Sequence, residues 1–515
     1  MKRLLFLSVL ILFQTFTSFA QKNKVVDFII ESAKKDNQTM HHLDVLTNRI
    51  GGRLIGSDAY ETATYWVADL LKSWGLEVEI QEVGEMPVGF NRGPWFGKML
   101  DDDGMDLHFA TPSFTAGTKG LQRGPVVAEP KTQAQFDRMK GKLKGAWVLI
   151  TGTNDGWPID YSPRGDSLRR IIIDQNNEIQ QYNDSITRIN RTNPGNAPLP
   201  LKELKDTPAL FYKEMREAGI LGIIQSSAVP IRALYDRKNA SSMDFYKNLP
   251  DCPDIKLDEN QYKIIAQKVA ERRYFQLEFD IRNHFKPGPV KYHNVIGKIR
   301  GTKFPDEYVM SGGHLDAFDV ATGGVDCGTG VAPNLEAARL LMLAGAKPRR
   351  SIVFCFWAGE EFGLWGSKYW VEHNKEKWPY ISNYFNRDGG PVVANALTVP
   401  PAMYEDFKKA TVQLNDINPE FPFTLTERKT VPNKPATAGG SDHAYFAMNG
   451  IPTISFETGD PEGYDFNYQE IWHTERDLYN MSIPEYMEHT SIVTAIVLYN
   501  LANMDKILSR EGLYK

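Results

Sequence analysis

Apolar residues recur at helical spacing near the start of the chain, in the stretch SDAYETATYWVADLLKSWG, residues 57–75. This periodicity predicts an amphipathic helix. Asp58 and Glu61 have the spacing of a capping box at its start, and Gly75 stands where such a helix ends. The next stretch, LEVEIQEV, alternates apolar and polar residues as a half-buried strand does. The chain therefore begins with α/β structure.

A different pattern runs from KYHNVIGKIRG, at residue 291, towards the end of the chain, where short continuous apolar runs end in glycine or acid. They are EYVMSGG, SIVFCFWAG, SNYFNRDGG and PTISFETG, and LEAARLLMLAGA predicts a helix between the first two. Continuous apolar strands are typical of a parallel sheet that helices cover on both faces. The pattern predicts an α/β fold with a mostly parallel central sheet.

Between these two parts the pattern of apolar and polar residues changes. Short strand-like pieces, GPVVAEP and GAWVLITG, alternate with turns, and LFYKEMREAG followed by ILGIIQSSA is typical of a helix and a strand. The polar stretch 161–207 is interpreted as an insertion or a mobile loop. We predict that residues 110–283 form a second, inserted domain, and that 21–109 and 284–515 together form one discontinuous domain.

The first twenty residues read as a targeting segment. A short basic start, MKR, precedes the apolar run LLFLSVLILF, and TSFA ends in small residues at cleavage spacing. We expect a signal peptide cleaved after Ala20 and a secreted or periplasmic protein. The alternative is an uncleaved membrane anchor, but the apolar run is short for spanning a bilayer.

Composition excludes some classes of function. The formal net charge of the 515 residues is -5, from 59 basic and 64 acidic side chains that are well mixed. Without a basic block or stripe, nucleic acid is a poor candidate partner. The three cysteines, Cys252, Cys327 and Cys355, are too few for a disulfide scaffold and are not spaced as a cysteine zinc site. Any metal would therefore be held by His, Asp and Glu.

Candidate ligands of that kind follow the predicted strands directly. His314 follows EYVMSGG, Glu360 and Glu361 follow SIVFCFWAG, and Asp388 follows SNYFNR. Open α/β sheets place ligand sites beyond the carboxyl ends of their strands, so these side chains are expected at one edge. A glycine-rich loop carrying Asp326 leaves the same edge. We interpret it as a ligand-bearing loop.

One imidazole and several carboxylates suit zinc or manganese. Two metals about 3.5–4 Å apart share a carboxylate, and Asp326 is the natural bridge. One residue of the pair Glu360 and Glu361 can bind metal while the other stays free as general base. Asp316 lies two residues after His314 and could accept its second ring N–H. Alone, each feature has a structural reading, as a solvated loop, a helix surface or a turn.

Together these motifs resemble the di-zinc exopeptidases, which include secreted bacterial leucine aminopeptidases, glutamate carboxypeptidases and carboxypeptidase Q. The resemblance covers nearly the whole mature chain. It rests on IGGRLIGS at 50–57, GHLDAFDV with its following VD, AGEEFG, NRDGG, GGSDHAYFAMNGIP and WHTERD, in the family's order. The stretch HLDAFDVATGGVD resembles carboxypeptidase Q. The resemblance implies a three-layer zinc-exopeptidase fold with an inserted, β-rich protease-associated domain.

The resemblance also implies roles. His314 and Asp388 would hold one Zn²⁺, Glu361 and His473 the other, and Asp326 would bridge them. Glu360 would be the general base and Asp316 would support a ligand from behind. Ser441, Asp442 and His443 match a motif that borders the family's active site, without an assigned role.

Two departures from the family pattern stand out. Cys327 follows the bridging Asp326, where the family often has an acid or a small polar residue. After His473 the usual Asp-Thr pair is replaced by Asp477-Leu478. Neither change removes a predicted ligand.

The expected activity is hydrolysis of terminal peptide bonds in short peptides or dipeptides, as in carboxypeptidase Q. An aminopeptidase of the same family, a glutaminyl cyclase with one zinc and a non-catalytic receptor-like protein are the alternatives. The expected partners are short peptides, with a possible homodimer and no stable membrane insertion after signal cleavage. The sequence does not decide which end of the peptide is trimmed.

Overall fold

The computed structural model describes residues 24–101, 104–235 and 249–515. The predicted signal peptide, residues 1–20, lies outside this part of the chain. None of the helices in the described ranges is both long enough and apolar enough to cross a membrane.

The strands of the described residues are numbered in chain order. They are β1 Glu77–Leu100, β2 Met105–Asp106, β3 Phe109–Ala110, β4 Gln122–Ala128, β5 Trp147–Thr153, β6 Gly222–Ser227, β7 Asp254–Asp258, β8 Gln276–Ile299, β9 Phe304–His314, β10 Arg350–Trp357, β11 Ile381–Asn386, β12 Val393–Val399, β13 Thr424–Glu427 and β14 Glu457–Gly459.

The α-helices are numbered in the same way. They are α1 Lys24–Lys35, α2 Thr39–Asp44, α3 Asp58–Ser73, α4 Gln133–Leu143, α5 Pro163–Thr192, α6 Tyr212–Glu217, α7 Glu259–Ala270, α8 Gly328–Leu343, α9 Trp365–His373, α10 Pro401–Thr411, α11 His443–Met448 and α12 Pro484–Ala502. A π-helical turn, Val45–Ile50, continues α2, and 3-10 turns cover Lys375–Tyr380, Leu414–Asp416, Tyr468–Glu470 and Tyr479–Met481.

One large sheet organises the molecule, with the strand order β11-β9-β10-β8-β4-β5-β6-β7-β3. The pairs β10–β9 and β9–β11 are parallel, and β8 is antiparallel to β10. The predicted α/β fold around a central sheet is therefore confirmed. A second, small sheet has the order β13-β12-β14.

Strand β10 shows that the sheet is the middle of three layers, with helices packed on both of its faces. Its side chains are buried along the whole length, and they alternate between two apolar clusters. Ile352, Phe354 and Phe356 belong to the core shared with α3, α8 and α12, whereas Val353 and Trp357 belong to the core under α9 and α11. Both faces are covered by helices, which is why the sequence of this strand is continuously apolar.

Three predicted elements differ in detail from the structure. Helix α3 is capped by Ser57, whose Oγ accepts from the Tyr60 N–H, and not by Asp58. Helix α8 begins at Gly328, seven residues before the predicted apolar run. The stretch PTISFETG is strand only over β14, and its earlier residues run beside β11, where the Asn383 side chain bonds both backbone groups of Ile454.

The inserted segment, defined as residues 110–283, is framed by the long antiparallel pair β1 and β8. An apolar cluster around Phe211 and Ile223 lies within it, and a second cluster around Trp147 and Phe279 also includes Met99 and Phe109 from the preceding residues. The predicted boundaries fall inside β3 and β8. The division into domains stays a prediction.

The polar stretch 161–207 is not a mobile loop but a 30-residue helix, α5, with an extended return segment along it. Ser162 caps the helix and Pro163 occupies its first turn. Three asparagines at seven-residue spacing each bond both backbone groups of one residue in the return segment: Asn176 to Lys205, Asn183 to Lys202 and Asn190 to Leu199. Seven helical residues rise about 10.5 Å and three residues of extended chain span about 10 Å, so the two repeats nearly match.

We expect Asn183→Ala to open this return segment, because the substitution removes both bonds to Lys202. Trypsin should cut after Lys202 and Lys205 faster than in the wild type, while the thermal midpoint of the whole protein changes little. Gln181→Ala, at an exposed position of the same helix, is the control. Equal cleavage rates in the two variants would contradict the role of the asparagine.

Candidate metal centre

Three strand ends deliver the predicted side chains to one edge of the sheet. Strand β9 ends at His314, β10 is followed by Glu360 and Glu361, and β11 is followed by Asp388. Because β11, β9 and β10 are parallel, their carboxyl ends lie side by side. The loop after β9 returns Asp326 to the same place.

Asp326 lies between two pairs of side chains. Its Oδ1 is 3.1 Å from His314 Nε2, which is itself 3.4 Å from Asp388 Oδ1. Its Oδ2 is 3.5 Å from His473 Nε2, which is 3.0 Å from Glu361 Oε2. One carboxylate therefore faces His314 and Asp388 with one oxygen and Glu361 and His473 with the other.

These groups are almost completely withdrawn from water. The exposed fraction is 0% for His314, 4% for Asp326, 2% for Glu361 and 5% for His473. Glu361 Oε1 is buried and has no hydrogen-bond partner among the described residues. Burial, reinforced by Asp326, raises the pKa of Glu361 well above its usual range. Buried carboxylates that repel each other need a cation, and this donor set fits divalent zinc.

Ligand atoms of His314, Asp326 and Glu361 lie within 4.8 Å of one another, and so do those of His314, Cys327 and Asp388. Cys327 is thus near the candidate centre. Its Sγ donates to the carbonyl oxygen of Arg387 at 3.2 Å, and burial raises the pKa of the thiol to about 12. The thiol is engaged with a backbone oxygen, whereas the two oxygens of Asp326 face His314 and His473, which favours Asp326 over Cys327.

Asp316 contacts His314 differently from the prediction, in which its side chain accepts the second ring N–H of His314. His314 Nδ1 is 2.8 Å from the backbone oxygen of Asp316, and 3.7 Å from the carboxylate, which is too far for a hydrogen bond. The carboxylate instead accepts the backbone N–H groups of Glu360 and Glu361, at 3.1 and 3.2 Å. Asp316 therefore orients His314 through its backbone and the two glutamates through its side chain.

Two residues without a predicted role hold the glycine-rich loop. Arg53, in the IGGRLIGS motif, is fully buried and donates to five backbone oxygens, among them those of Leu315, Thr322 and Gly323. A lone arginine among glycine and apolar residues was the available sequence signal.

Asp477 holds the other end of the loop. Its Oδ1 accepts the N–H groups of Val325 and Asp326, at 2.6 and 3.2 Å, and its backbone oxygen accepts those of Thr322 and Gly324. Burial, with Asp326 nearby, raises the pKa of Asp477 to about 7. Because Asp477 lies four residues after His473, it joins the loop of His473 to that of Asp326.

The remaining predicted residues lie close by. The Ser441 hydroxyl accepts a hydrogen bond from Asn386 Nδ2 at 3.0 Å, and His443 is the first residue of α11. Asp442 is buried, and burial raises the pKa of its carboxyl to about 7. Ser441 and His443 line the cleft described next, whereas Asp442 is not among its lining residues.

A cleft of about 890 Å³ opens over the candidate centre. Its acidic lining residues are Asp326, Glu360, Glu361 and Asp388, and Tyr468, Trp472 and Gly440 form other parts of the wall. A space of this size accepts a small ligand or a short peptide.

The segment 294–497 matches the model of Peptidase family M28. Over this segment the chain is similar to that family. The predicted enzyme class, a metallopeptidase, is thereby confirmed.

Similar proteins include carboxypeptidase Q of Mus musculus, which is 22% identical over 478 residues, covering 93% of this chain and 88% of that protein. Among solved structures, the Peptidase M28 precursor of Shewanella amazonensis has a TM-score of 0.56 at 18% identity, and a zinc aminopeptidase of Bacillus subtilis has 0.50 at 17%. Each of the two covers 94% of this chain and 98% of the other. The two structural likenesses concern the fold.

Arg53→Met should lower the free energy of unfolding by about 3 kcal/mol or more, because it leaves several buried carbonyl oxygens without a donor. Chemical denaturation of the purified protein measures this. Arg49→Met is the matched control, since Arg49 is 64% exposed and forms a surface ion pair with Asp44, which contributes about 1 kcal/mol or less. Similar small losses in both variants would exclude Arg53 as the clamp of the loop.

Proposed function

We propose that the protein is a secreted dinuclear-zinc exopeptidase that hydrolyses terminal peptide bonds of short peptides or dipeptides. The observation that carries this proposal is the position of Asp326, one oxygen of which faces His314 and Asp388 and the other Glu361 and His473. A shared carboxylate between two ligand pairs is what a two-metal hydrolase requires. The full-length similarity to carboxypeptidase Q supports the choice of substrate class.

In this proposal His314 and Asp388 would hold one zinc, Glu361 and His473 would hold the other, and Asp326 would be shared between the two pairs. When bound, the zinc pair would lower the pKa of water and polarise the scissile carbonyl. The surrounding residues exclude bulk water from the ligand side chains. Hydrogen bonds to backbone groups hold the loops that carry these ligands.

Glu360 is the proposed general base. It lines the cleft beside the ligand Glu361, and its backbone N–H is fixed by Asp316. A carboxylate in this place can accept a proton from the attacking water and pass it to the departing amine.

An aminopeptidase of the same family is the second candidate. The lining of the cleft favours it in one respect, because acids dominate and the guanidinium of Arg387 is occupied by the carbonyl oxygens of Thr329, Gly390 and Val392. Acidic side chains suit a free α-amine. A panel of N-blocked and C-blocked dipeptides, assayed with and without chelator, distinguishes the two candidates.

Glu360→Gln should keep both metal ions and lose turnover by about 10²- to 10⁴-fold, because the amide cannot accept the proton. Steady-state hydrolysis of a dipeptide, with metal content measured on the same sample, tests this. Glu427→Gln changes an exposed glutamate and should behave as the wild type. A near-normal rate for Glu360→Gln would exclude the general-base role.

Metal analysis by mass spectrometry should find two zinc ions per chain in the wild type and about one in His473→Ala, which removes a ligand of a single site. His373→Ala, at an exposed histidine, should retain two. One ion per wild-type chain would instead favour a glutaminyl cyclase, and a metal-free, inactive protein would favour a receptor-like role.

A further inference from the structure

A second cavity, of about 110 Å³, adjoins the cleft and shares Trp472 and His473 with it. Its other walls come from two loops of the inserted segment, including Trp157, Arg232 and Tyr235, and from Phe318. The cavity, which Asp155 also lines, therefore brings one cation, one acid and several aromatic rings next to a candidate zinc ligand.

The backbone of Arg232 is fixed to the loop of His473. Arg232 forms an isolated antiparallel bridge with Thr474. The neighbouring Ile231 donates its N–H to Glu475 Oε1 at 3.1 Å and accepts the Glu475 N–H at 3.0 Å. Arg232 thus comes from the inserted segment, yet its position is set relative to His473.

Tyr235 ties the same stretch to the second ligand of that site. Its hydroxyl donates to the backbone oxygen of Glu361 at 2.6 Å, and its ring stacks on Phe362 with centroids 4.2 Å apart. The cavity wall and the candidate centre are therefore one packed unit. A ligand group bound here keeps a constant distance from the candidate metal ligands.

The guanidinium of Arg232 is only weakly engaged. Its two polar contacts, to Asp155 Oδ2 and to the Gln469 oxygen, are both 3.5 Å long, beyond the usual range of 2.7–3.2 Å. Asp155 is itself 73% exposed. The guanidinium carbon lies 5.3 Å from the centre of the Trp472 ring, which orients the group without using its N–H donors. Arg232 therefore retains donors for an anion.

We propose that Arg232 binds the terminal carboxylate of the peptide substrate in this cavity, an inference that rests on the proposed exopeptidase function. A planar guanidinium matches a carboxylate with two parallel hydrogen bonds. The aromatic walls lower the local dielectric and strengthen the pair. In the cleft the Arg387 guanidinium is occupied by backbone oxygens, so the inserted segment supplies the cation that retains donors. The enzyme thus selects short peptides with a free carboxyl end.

The test compares one dipeptide with its C-terminal amide, using the mature, zinc-loaded protein. The wild type should cleave the free acid with a kcat/KM about 10- to 100-fold above that of the amide. Arg232→Gln should lose most of this preference by raising KM for the acid, while the amide changes about twofold or less. Arg232→Lys should recover part of the preference, since lysine keeps the charge without the paired donors.

Arg282→Gln is the matched control, because Arg282 is an exposed cation of the inserted segment, paired with Asp280. Calorimetric binding of the dipeptide to Glu360→Gln, with and without Arg232→Gln, separates recognition from turnover. Zinc content and thermal unfolding of each variant show whether the centre is intact.

Three outcomes would overturn the assignment of Arg232. They are equal cleavage of acid and amide by the wild type, an equal loss of both in Arg232→Gln, and an unchanged preference in that variant. In all three the wild type still hydrolyses peptides, so the exopeptidase function stands. A zinc-loaded wild type that cleaves no peptide would refute the exopeptidase function and the role of Arg232 together.

Discussion

Carboxylates are buried against one another at a single edge of the sheet, and much of the surrounding structure holds them there. Burying an ionised carboxylate without a partner is costly, and several within hydrogen-bonding distance of two histidines are costlier still. Two buried imidazoles do not balance Asp326, Glu361, Glu360 and Asp388. The arrangement becomes reasonable once divalent cations are bound, which is why the metal centre is the natural explanation of this edge.

Hydrogen bonds to backbone groups hold the loops that carry the candidate ligands and leave these side chains little freedom to move apart. Arg53 and Asp477 hold the glycine-rich loop from two directions, and Asp316 holds the turn that carries Glu360 and Glu361. The three side chains are buried, and each bonds to main-chain groups of the loop or turn that it holds. These bonds fix the backbone positions of the loop and of the turn. A site held this way is ordered before any ligand arrives.

The sequence was sufficient where the chemistry follows strand ends. His314, the Glu360–Glu361 pair and Asp388 could be placed together because parallel strands end at one edge. His473 could not, since it follows no strand, and only the resemblance to a family suggested it. The contacts that Arg53, Asp477 and Arg232 make with the loops around the centre join residues more than 150 positions apart, which no local pattern reveals. Helix α5 was missed because the side that faces the return segment carries asparagines, which bond that segment and interrupt the apolar periodicity.

The inserted segment also contacts the candidate centre, which the sequence alone did not predict. Tyr235 contacts the backbone of Glu361, and Ile231 pairs with Glu475, so this segment forms part of the wall around the centre. In the two proposals made above, these short contacts would couple substrate selection to metal binding.

The central claim is that five side chains bind two metal ions around a shared Asp326. Anomalous diffraction at the zinc edge, from crystals of the zinc-loaded protein, tests it most directly. We expect two peaks, one against His314 and Asp388 and one against Glu361 and His473, with an oxygen of Asp326 at each. A single peak, or a peak ligated by Cys327 in place of Asp326, would contradict the account.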